Sequence, residues 1–420
     1  MPEDASGKSS KRKMRRIREL DGLRAIAIFL VLGCHYEGFS QLAGRLPELG
    51  WIGVDLFFCL SGYLITSILL GMRGRATPYK TFYARRFTRV LPAYLVVIAV
   101  VGIYDLHYHE ANWKWLVTQI FFLQAFHREQ VYAVIDVFTH LWWYANHLPP
   151  LLSLAHNLPA EQVGAPLIIS IVPFTFWSLS IEEYFYLLWA PVVLRFSKTT
   201  IVCAGTAVCV VEMTLRWVLA APNVYFGALF RLDVLLYGAF LALLIEHWNR
   251  TSIPRWARES LSVILGCAVV GITAIVFAIR PVLGNDPRPS PLVLALGLPL
   301  LSLLFTALIG LLILRSDSDW WLCRVLRTSA FQFVGTISYT MYLVHLIAAT
   351  IVRHLFREPD PFRQTFVQAV LSAIFTIVIA QLSWIFLEKK ALEWKDKRFP
   401  NAPHPPEPQV RPIFGRSSWL

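Results

Sequence analysis

Ten apolar stretches, each about as long as a bilayer is thick, recur along the chain and constrain its fold more than any other feature. They lie near residues 22–39, 51–70, 90–106, 177–195, 200–220, 226–246, 259–280, 291–314, 331–352 and 366–387. Because a helix rises 1.5 Å per residue, roughly 20 residues cross the hydrocarbon core. The pattern predicts an all-α, polytopic membrane helix bundle with about ten transmembrane helices embedded in the lipid bilayer.

The composition agrees with a membrane solvent. Hydrophobic residues make up 56% of the 420 residues and charged residues only 16%, below the roughly 25% that is typical of soluble domains. The net charge of +12 comes from short clusters between the apolar stretches, and this distribution disfavours nucleic-acid binding. The six cysteines show no CxxC or Cys/His spacing, so we expect no metal site.

The basic clusters also predict topology, because short cytoplasmic loops carry an excess of Lys and Arg. The clusters are the N-terminal run and residues 73–89, 195–198, 247–258, 315–327 and 388–398. They all fall on one side if the short stretch Trp115–Phe126 is re-entrant or interfacial. Both termini are then cytoplasmic in an inner (plasma) membrane protein, and residues 106–173 form the main outward loop. Eleven full crossings would place some clusters outside.

The chain divides into three parts on this interpretation. Residues 1–19 form a basic cytoplasmic N-terminus, residues 20–390 a single transmembrane domain, and residues 391–420 a proline-rich cytoplasmic tail that we expect to be disordered. No small-residue cleavage site follows the first apolar stretch, which favours a retained signal anchor. The lack of a visible internal repeat disfavours a secondary transporter.

The first apolar stretch carries Arg24 and His35, and ionisable groups within a span are functional candidates because they are costly to insert. Their separation of eleven positions is close to three helical turns, which puts them on one face roughly 16 Å apart along the axis. Arg24 would hold a phosphate of acyl-CoA, and His35 would take a proton from an acceptor hydroxyl at the thioester. The alternative is a histidine that only packs and hydrogen-bonds a carbonyl.

Arg86 and Arg89 lie just before the third apolar stretch and share a helix face, since they are three positions apart. They could form a fork for the pyrophosphate or 3′-phosphate of CoA. The alternative is that they only anchor the span at the cytoplasmic side.

Two adjacent acids, Glu182 and Glu183, open the apolar stretch 177–195 at its expected outward end. Adjacent residues point about 100° apart on a helix, so only one can face a site squarely. We favour Glu182 as the residue that orients a catalytic base or an acceptor hydroxyl. Capping of the helix N-terminus is the alternative for one of them.

Asp55 lies in the second apolar stretch near the outward end, and we expect it to set the tautomer of His35. Binding to backbone amides would explain Asp55 nearly as well. Gly53 and Gly62, in the same stretch, would permit close helix approach.

Tyr342 and His345 lie three positions apart in a polar run within an apolar stretch. They could therefore face one cavity. With Trp177 they are the candidate substrate-binding residues.

Taken together, these motifs resemble the acyltransferase 3 family, whose members decorate surface polysaccharides, nodulation factors, macrolides and related glycosides. The resemblance covers Leu20 to about Glu388. It rests on the motifs Leu20-Asp-Gly-Leu-Arg24 to His35, Gly53 to Gly62, Arg86-x-x-Arg89, Trp177 to Glu183 and Ile337 to His345. It implies a bundle of about ten helices and essential roles for the residues at Arg24, His35, Arg86 and Arg89.

The resemblance also implies transfer of an acyl group, acetyl above all, from cytoplasmic acyl-CoA as co-substrate to a hydroxyl of a glycan or glycoside. No tightly bound cofactor is expected. Many family members carry an additional extracytoplasmic hydrolase-like domain after the bundle, whereas here a short tail follows. We favour direct transfer over a two-step route, because Cys34 points to a different helix face from His35. The competing hypothesis is a transporter or flippase that uses the same buried charges as a relay.

Overall fold

The computed structural model describes residues 17–36, 38–39, 47–108, 120, 122, 167–219, 230–279, 293–316, 318–356 and 360–399, and none of these residues is in a strand. The helices of the first half are α1 (Arg18–His35), α2 (Ile52–Leu70, preceded by a 3₁₀ turn at Pro47–Trp51), α3 (Pro78–Tyr108), α4 (Leu167–Arg195), α5 (Lys198–Leu219) and α6 (Leu232–Arg250). They are followed by α7 (Ala257–Ile279), α8 (Leu298–Leu314, after a π-turn at Val293–Gly297), α9 (Trp321–Leu326), α10 (Ser329–Leu355), α11 (Pro361–Ser383), a π-turn at Trp384–Glu388 and α12 (Lys389–Arg398).

Among the described residues, eight helical segments are long and apolar enough to cross a membrane, and the predicted all-α membrane bundle is confirmed. They comprise α2, α3, α5, α6, α7, α8, α10 and the continuous rod of α11 and α12. The other two predicted spans also correspond to helices, α1 and α4. Charges at Arg18, Glu19, Asp21 and Arg24 set α1 apart from the eight. The total of ten crossings and the cytoplasmic side of the termini stay predictions.

The lipid-facing surface explains why so many large apolar side chains are exposed. Ile103, Val218 and Val270 are each at least 66% exposed. A patch of this kind is rare on a soluble monomer but is the expected surface of a helix in lipid. The described part of the chain therefore has the apolar outer surface that is expected of a multi-pass membrane protein.

Helix α4 starts earlier than the apolar stretch predicted. It begins at Leu167 and continues through Pro173, a residue that the sequence analysis assigned to the outward loop. Proline is tolerated inside membrane helices because neighbouring groups satisfy the freed carbonyl. Glu182 and Glu183 therefore lie in the middle of α4, and the prediction that they open a span is wrong. Apart from residues 120 and 122, the predicted re-entrant stretch lies outside the described residues, as does most of the predicted outward loop.

Contacts between helix ends gather the basic residues at one end of the bundle. Arg18 donates to the carbonyl of Arg327 at 2.8 Å, and Arg73 donates to the carbonyl of Val193 at 2.8 Å. Lys198 pairs with Glu246 across α5 and α6. We call this the basic end, and the end at which α1 finishes, at His35, the opposite end. The described helices begin and finish at the basic end, with Arg18 and Arg398.

Two glycines allow α2 and α6 to pack backbone to backbone. A Cβ atom at Gly62 would collide with the carbonyl oxygen of Leu235, and one at Gly238 would collide with that of Cys59. On its other side α2 meets α1, where a Cβ at Gly53 would collide with the carbonyl of Ala27. Close packing of this kind drives helix association in lipid. It fixes α2 between α1 and α6, as the small residues predicted.

The last described helix reaches into the segment that we expected to be disordered. Helix α12 continues to Arg398, and Arg85 of α3 holds it through Asp396 at 3.0 Å and through the carbonyl of Phe399. Four of its ten residues are Lys, and Glu, Ala and Leu occur once each; all four residue types are good helix formers. The prediction of disorder is wrong for residues 391–398, and residues 400–420 lie outside the described part.

Candidate active site

A seam of polar side chains runs through the bundle from the basic end to the opposite end. It is formed by α1, α2, α3, α4, α10 and the π-turn after α11. We describe it in three parts: an arginine cluster (Arg24, Arg86 and Arg89), a middle part around Glu182 and Tyr342, and a histidine pair (His35 and His345).

The arginine cluster brings together the three cations that the sequence singled out. Arg24 of α1 interacts electrostatically with Arg89 of α3, and Arg86 interacts with both. Arg24 also donates to Asp21 at 2.6 Å. Three guanidinium groups repel one another at short range unless anions lie between them. The cluster therefore has the charge of an anion site.

The arginine cluster is only partly buried even though several helices surround it. Arg24 and Arg86 are half-buried and Arg89 is exposed, while Arg89 interacts with Asp21 of α1 and Glu388 of the π-turn. Arg89 therefore has charged neighbours on two other segments and still exposes part of its side chain. The guanidinium of Arg86 lies over the rings of Phe82 and Tyr186, at 5.9 and 5.4 Å from their centroids, and these contacts hold it in place.

Glu388 is a member of the site that the sequence analysis missed. The carboxylate of Glu388 accepts hydrogen bonds from Thr340 at 2.6 Å and from Ser383 at 3.1 Å, and it interacts with Arg89. The π-turn at Trp384–Glu388 shifts the helical register, and such turns are frequent at functional sites. The available signal was an acid directly after an apolar stretch, which we assigned instead to the basic tail.

Glu182 lies beside the arginine cluster rather than beside His35. The oxygens of Glu182 accept hydrogen bonds from Ser61 at 2.6 Å and from Tyr186 at 3.0 Å. The carboxylate also interacts with Arg86 and Arg24. Glu182 thus joins α2 to α4, and its described hydrogen bonds do not orient the predicted base.

Tyr342 and Trp177 lie between the arginine cluster and the histidine pair. The hydroxyls of Tyr342 and Ser178 are 2.6 Å apart, and the Tyr342 ring meets Phe57 with centroids 6.4 Å apart. Trp177 is buried, with its ring edge-to-face against Phe58 at 6.1 Å. Tyr342 thus belongs to the polar seam, whereas packing accounts for the position of Trp177.

His35 and His345 form a pair at the far end of the seam. Their ring centroids are 4.9 Å apart with the rings edge-to-face. Nδ1 of His35 lies 2.8 Å from the carbonyl oxygen of Val31, and Nδ1 of His345 lies 2.7 Å from that of Tyr342. A carbonyl only accepts, so in both neutral rings Nδ1 carries the proton and Nε2 has the lone pair. Because α1 is one uninterrupted helix from Arg18 to His35, Arg24 and His35 lie on one face of it, as predicted.

Burial distinguishes the two histidines. His345 is fully buried, and its Nε2 has no hydrogen-bond partner among the described residues. His35 is half-buried and lines an open cleft of about 40 Å³ at the opposite end of the bundle. Of the two, only His35 is thus placed both on the seam and against an accessible space.

Asp55 does not set the tautomer of His35, and that prediction is wrong. Asp55 forms a buried ion pair with Arg231, in a stretch of α6 and its N-terminal flank that the sequence analysis took as apolar. The carbonyl of Val31 supplies the contact to Nδ1 of His35 that we assigned to Asp55. Asp55 belongs to a separate group of buried charges on α2, α5 and α6.

Comparison with known proteins agrees with the family that the sequence motifs resemble. A family model described as an acyltransferase domain, of the acyltransferase 3 type, matches residues 17–385. The chain is 29% identical over 402 residues to the peptidoglycan O-acetyltransferase OatA of Listeria monocytogenes, which covers 91% of this chain and 56% of that protein. It is 28% identical over 391 residues to a Bacillus subtilis protein provisionally named peptidoglycan O-acetyltransferase YrhL, which covers 89% of this chain and 55% of that protein.

A Staphylococcus aureus protein provisionally named an O-acetyltransferase is 28% identical over 416 residues, with 94% of this chain and 61% of that protein covered. The chain therefore spans between 55% and 61% of the length of these three relatives. No solved structure matches the chain at a significant level.

Proposed function

Because this chain belongs to the acyltransferase 3 family, we propose that it is a membrane O-acyltransferase that transfers an acetyl group from cytoplasmic acetyl-CoA to a hydroxyl of a glycan. The names of its relatives, peptidoglycan O-acetyltransferases, support acetyl as the acyl group and a cell-wall glycan as the acceptor class. The observation that carries the proposal is the polar seam, which joins a partly exposed arginine cluster to a half-buried histidine.

The arginine cluster would bind the phosphates of CoA. Arg86 and Arg89 form no ion pair within 4 Å among the described residues, so their guanidinium groups are available to a ligand. Charge-assisted hydrogen bonds from arginine to phosphate are among the strongest polar contacts in proteins. Glu182, Tyr186 and Glu388 would hold the three arginines in place.

The thioester would reach His35 along α1. The eleven positions between Arg24 and His35 correspond to roughly 16 Å of helix, so donor phosphates at the basic end and a thioester at the opposite end require an extended pantetheine arm. That arm would follow the seam past Glu182 and Tyr342. The acceptor would arrive from the pocket beside His35.

His35 would act as the general base. With its Nδ1 proton held by the carbonyl of Val31, Nε2 can take the proton of the acceptor hydroxyl as the oxygen attacks the thioester carbonyl. The new C–O bond forms, the C–S bond breaks, and the imidazolium returns its proton to the departing CoA thiolate. His345 would be a positioning residue, since its ring packs against that of His35.

The test is acetyl transfer by membranes that contain the full chain. Labelled acetyl-CoA and extracted cell-wall glycan are supplied, and both CoA release and label in the glycan are measured. We expect His35→Ala to abolish transfer at equal expression, since general base catalysis contributes about 10²–10⁴-fold.

His354→Ala is the matched control. His354 is a histidine of α10 whose Nδ1 also meets a carbonyl, that of Thr350 at 2.9 Å, but it does not line the His35 pocket. We expect this variant to keep full activity. Equal transfer by His35→Ala and wild type would remove His35 from the mechanism, and no CoA release by the wild type would favour the transporter hypothesis.

A further inference from the structure

The pocket beside His35 is an open cleft with a polar lining. It lies between the end of α1, α10 and α11, and its volume is only about 40 Å³. A space of this size holds little more than a water molecule, so a sugar unit would lie in the mouth of the cleft, against its lining. Besides His35, its polar lining comes from Tyr36, Arg353, Thr365, Gln368 and Ser372.

Hydrogen bonds hold the wall of the pocket in one arrangement. The Tyr36 hydroxyl donates to the carbonyl of His345 at 3.1 Å and lies 2.8 Å from the hydroxyl of Thr376. Gln368 donates to the carbonyl of Phe356 at 2.7 Å. A wall that is already ordered loses little entropy when a ligand binds.

Arg353 gives the pocket its charge. It is exposed in the last turn of α10, at the end of the bundle opposite to the basic clusters. If the basic end is cytoplasmic, Arg353 faces outward, where the charge rule does not call for an arginine. Among the described residues no carboxylate forms an ion pair with Arg353. A guanidinium at this position is therefore available to an anion from outside the chain.

We propose that this pocket is the acceptor subsite and that Arg353 binds an anionic group of the acceptor glycan, a carboxylate or a phosphate. Arginine matches both groups through two parallel N–H···O bonds. Binding there would place a hydroxyl of the same sugar unit at Nε2 of His35. This inference rests on the proposed function, and it adds the charge of the acceptor.

The test compares three acceptors in membranes that contain the full chain and labelled acetyl-CoA. They are a neutral oligosaccharide, an oligosaccharide with a sugar carboxylate, and one with a sugar phosphate. We expect Arg353→Ala to raise the KM of the preferred anionic acceptor about 10- to 100-fold, the range for hydrogen bonds to a charged group. The kcat and the KM of acetyl-CoA should stay unchanged. The two anionic arms show which group the site takes.

Two further variants separate recognition from folding. Arg353→Lys keeps the charge but lacks the fork, so it should lie between alanine and wild type. Arg363→Ala removes an exposed arginine of α11 that does not line the pocket, and it should leave every KM unchanged. An unchanged Tm of the detergent-solubilised protein shows that each variant is folded, and an unchanged KM of acetyl-CoA shows that it binds the donor.

The outcomes are distinct. If the wild type transfers acetyl and Arg353→Ala has the wild-type KM for each acceptor, the acceptor subsite is overturned and the proposed function stays intact. A wild-type preference for the neutral oligosaccharide would also overturn it. No CoA release by the wild type under any condition overturns both proposals.

Discussion

Two groups of charged side chains in the described part of the bundle differ in pairing and in exposure. One is the arginine cluster on α1 and α3. The other is a closed network formed by Asp55, Glu212, Arg216, Arg231 and Asp233 on α2, α5, α6 and the N-terminal flank of α6. A sequence shows both groups as charges in apolar stretches, and each would count as a functional candidate on that ground.

The closed network pairs its charges by direct contact. Arg216 meets Asp233 at 2.5 Å and Glu212 at 3.7 Å, and Arg231 pairs with Asp55. The side chains of all five members are at most 3% exposed. Because its side chains are buried and its arginines are paired with acids, this network is suited to hold α2, α5 and α6 together.

In the arginine cluster Arg24 pairs directly with Asp21 at 2.6 Å, whereas Arg86 and Arg89 form no ion pair within 4 Å among the described residues. Arg86 rests on aromatic rings and Arg89 interacts with acids beyond ion-pair distance, while the side chain of Arg24 is 20% exposed. Burial of a charge in a membrane span therefore does not by itself indicate a catalytic or binding role. Exposed arginines without an ion pair indicate a binding site, whereas buried and paired charges indicate a structural network.

Breaking the closed network should have the largest effect, and the effect should be on folding. Arg216→Met leaves Asp233 and Glu212 buried without their cation, which costs about 3–5 kcal/mol for a buried pair. We expect a strong fall in the Tm of detergent-solubilised protein and little protein in the membrane. Arg216→Met combined with Asp233→Leu and Glu212→Leu should recover much of the stability, because an apolar replacement of a buried group is often near neutral. An unchanged Tm in the single variant would contradict a structural role.

Removing one guanidinium group from the arginine cluster should weaken donor binding without affecting folding. Arg89→Ala removes a group proposed to bind phosphate, so the KM of acetyl-CoA should rise about 10- to 100-fold while the Tm stays close to wild type. Arg85→Ala is the matched control, because Arg85 is in the same basic run but holds α12 through Asp396. If Arg85→Ala and Arg89→Ala raise the KM equally, the two arginines do not differ as proposed.

The sequence predicted the part of this comparison that depends on helical periodicity. Arg24 and His35 on one face of α1, and Arg86 and Arg89 on one face of α3, follow from spacing alone. The small residues of α2 likewise predicted the close contact that Gly62 makes with α6. These features are local, so a single helix determines them.

The sequence did not predict which residues meet across helices. The assignment of Asp55 to His35 failed because Arg231 follows Asp55 by well over a hundred residues, and the apolar character of 226–246 concealed it. Glu212 and Arg216 offered a signal that we did not use, since an acid and an arginine four positions apart share a helix face. The position of Glu182 along α4 was predicted wrongly because Pro173 was interpreted as a loop residue.

The smallest expected effect lies in the middle of the seam, where a structural and a functional role are hardest to separate. Tyr342→Phe removes the hydroxyl that lies 2.6 Å from that of Ser178 and keeps the ring that packs on Phe57. The loss of one hydrogen bond costs about 1 kcal/mol, so we expect a small fall in Tm and a turnover rate within a few-fold of wild type.

Tyr83→Phe is the control for this variant, because the Tyr83 hydroxyl donates to the carbonyl of Leu187 at 2.8 Å on an exposed part of α3 and α4. Suppose that Tyr342→Phe slows turnover by two orders of magnitude or more at an unchanged Tm, about the contribution of an acid or base in the reaction, and that Tyr83→Phe does not. Tyr342 would then move from the wall of the donor path into the chemistry. A fall in Tm alone would instead show that the Tyr342 hydroxyl, like the closed network, only holds helices together.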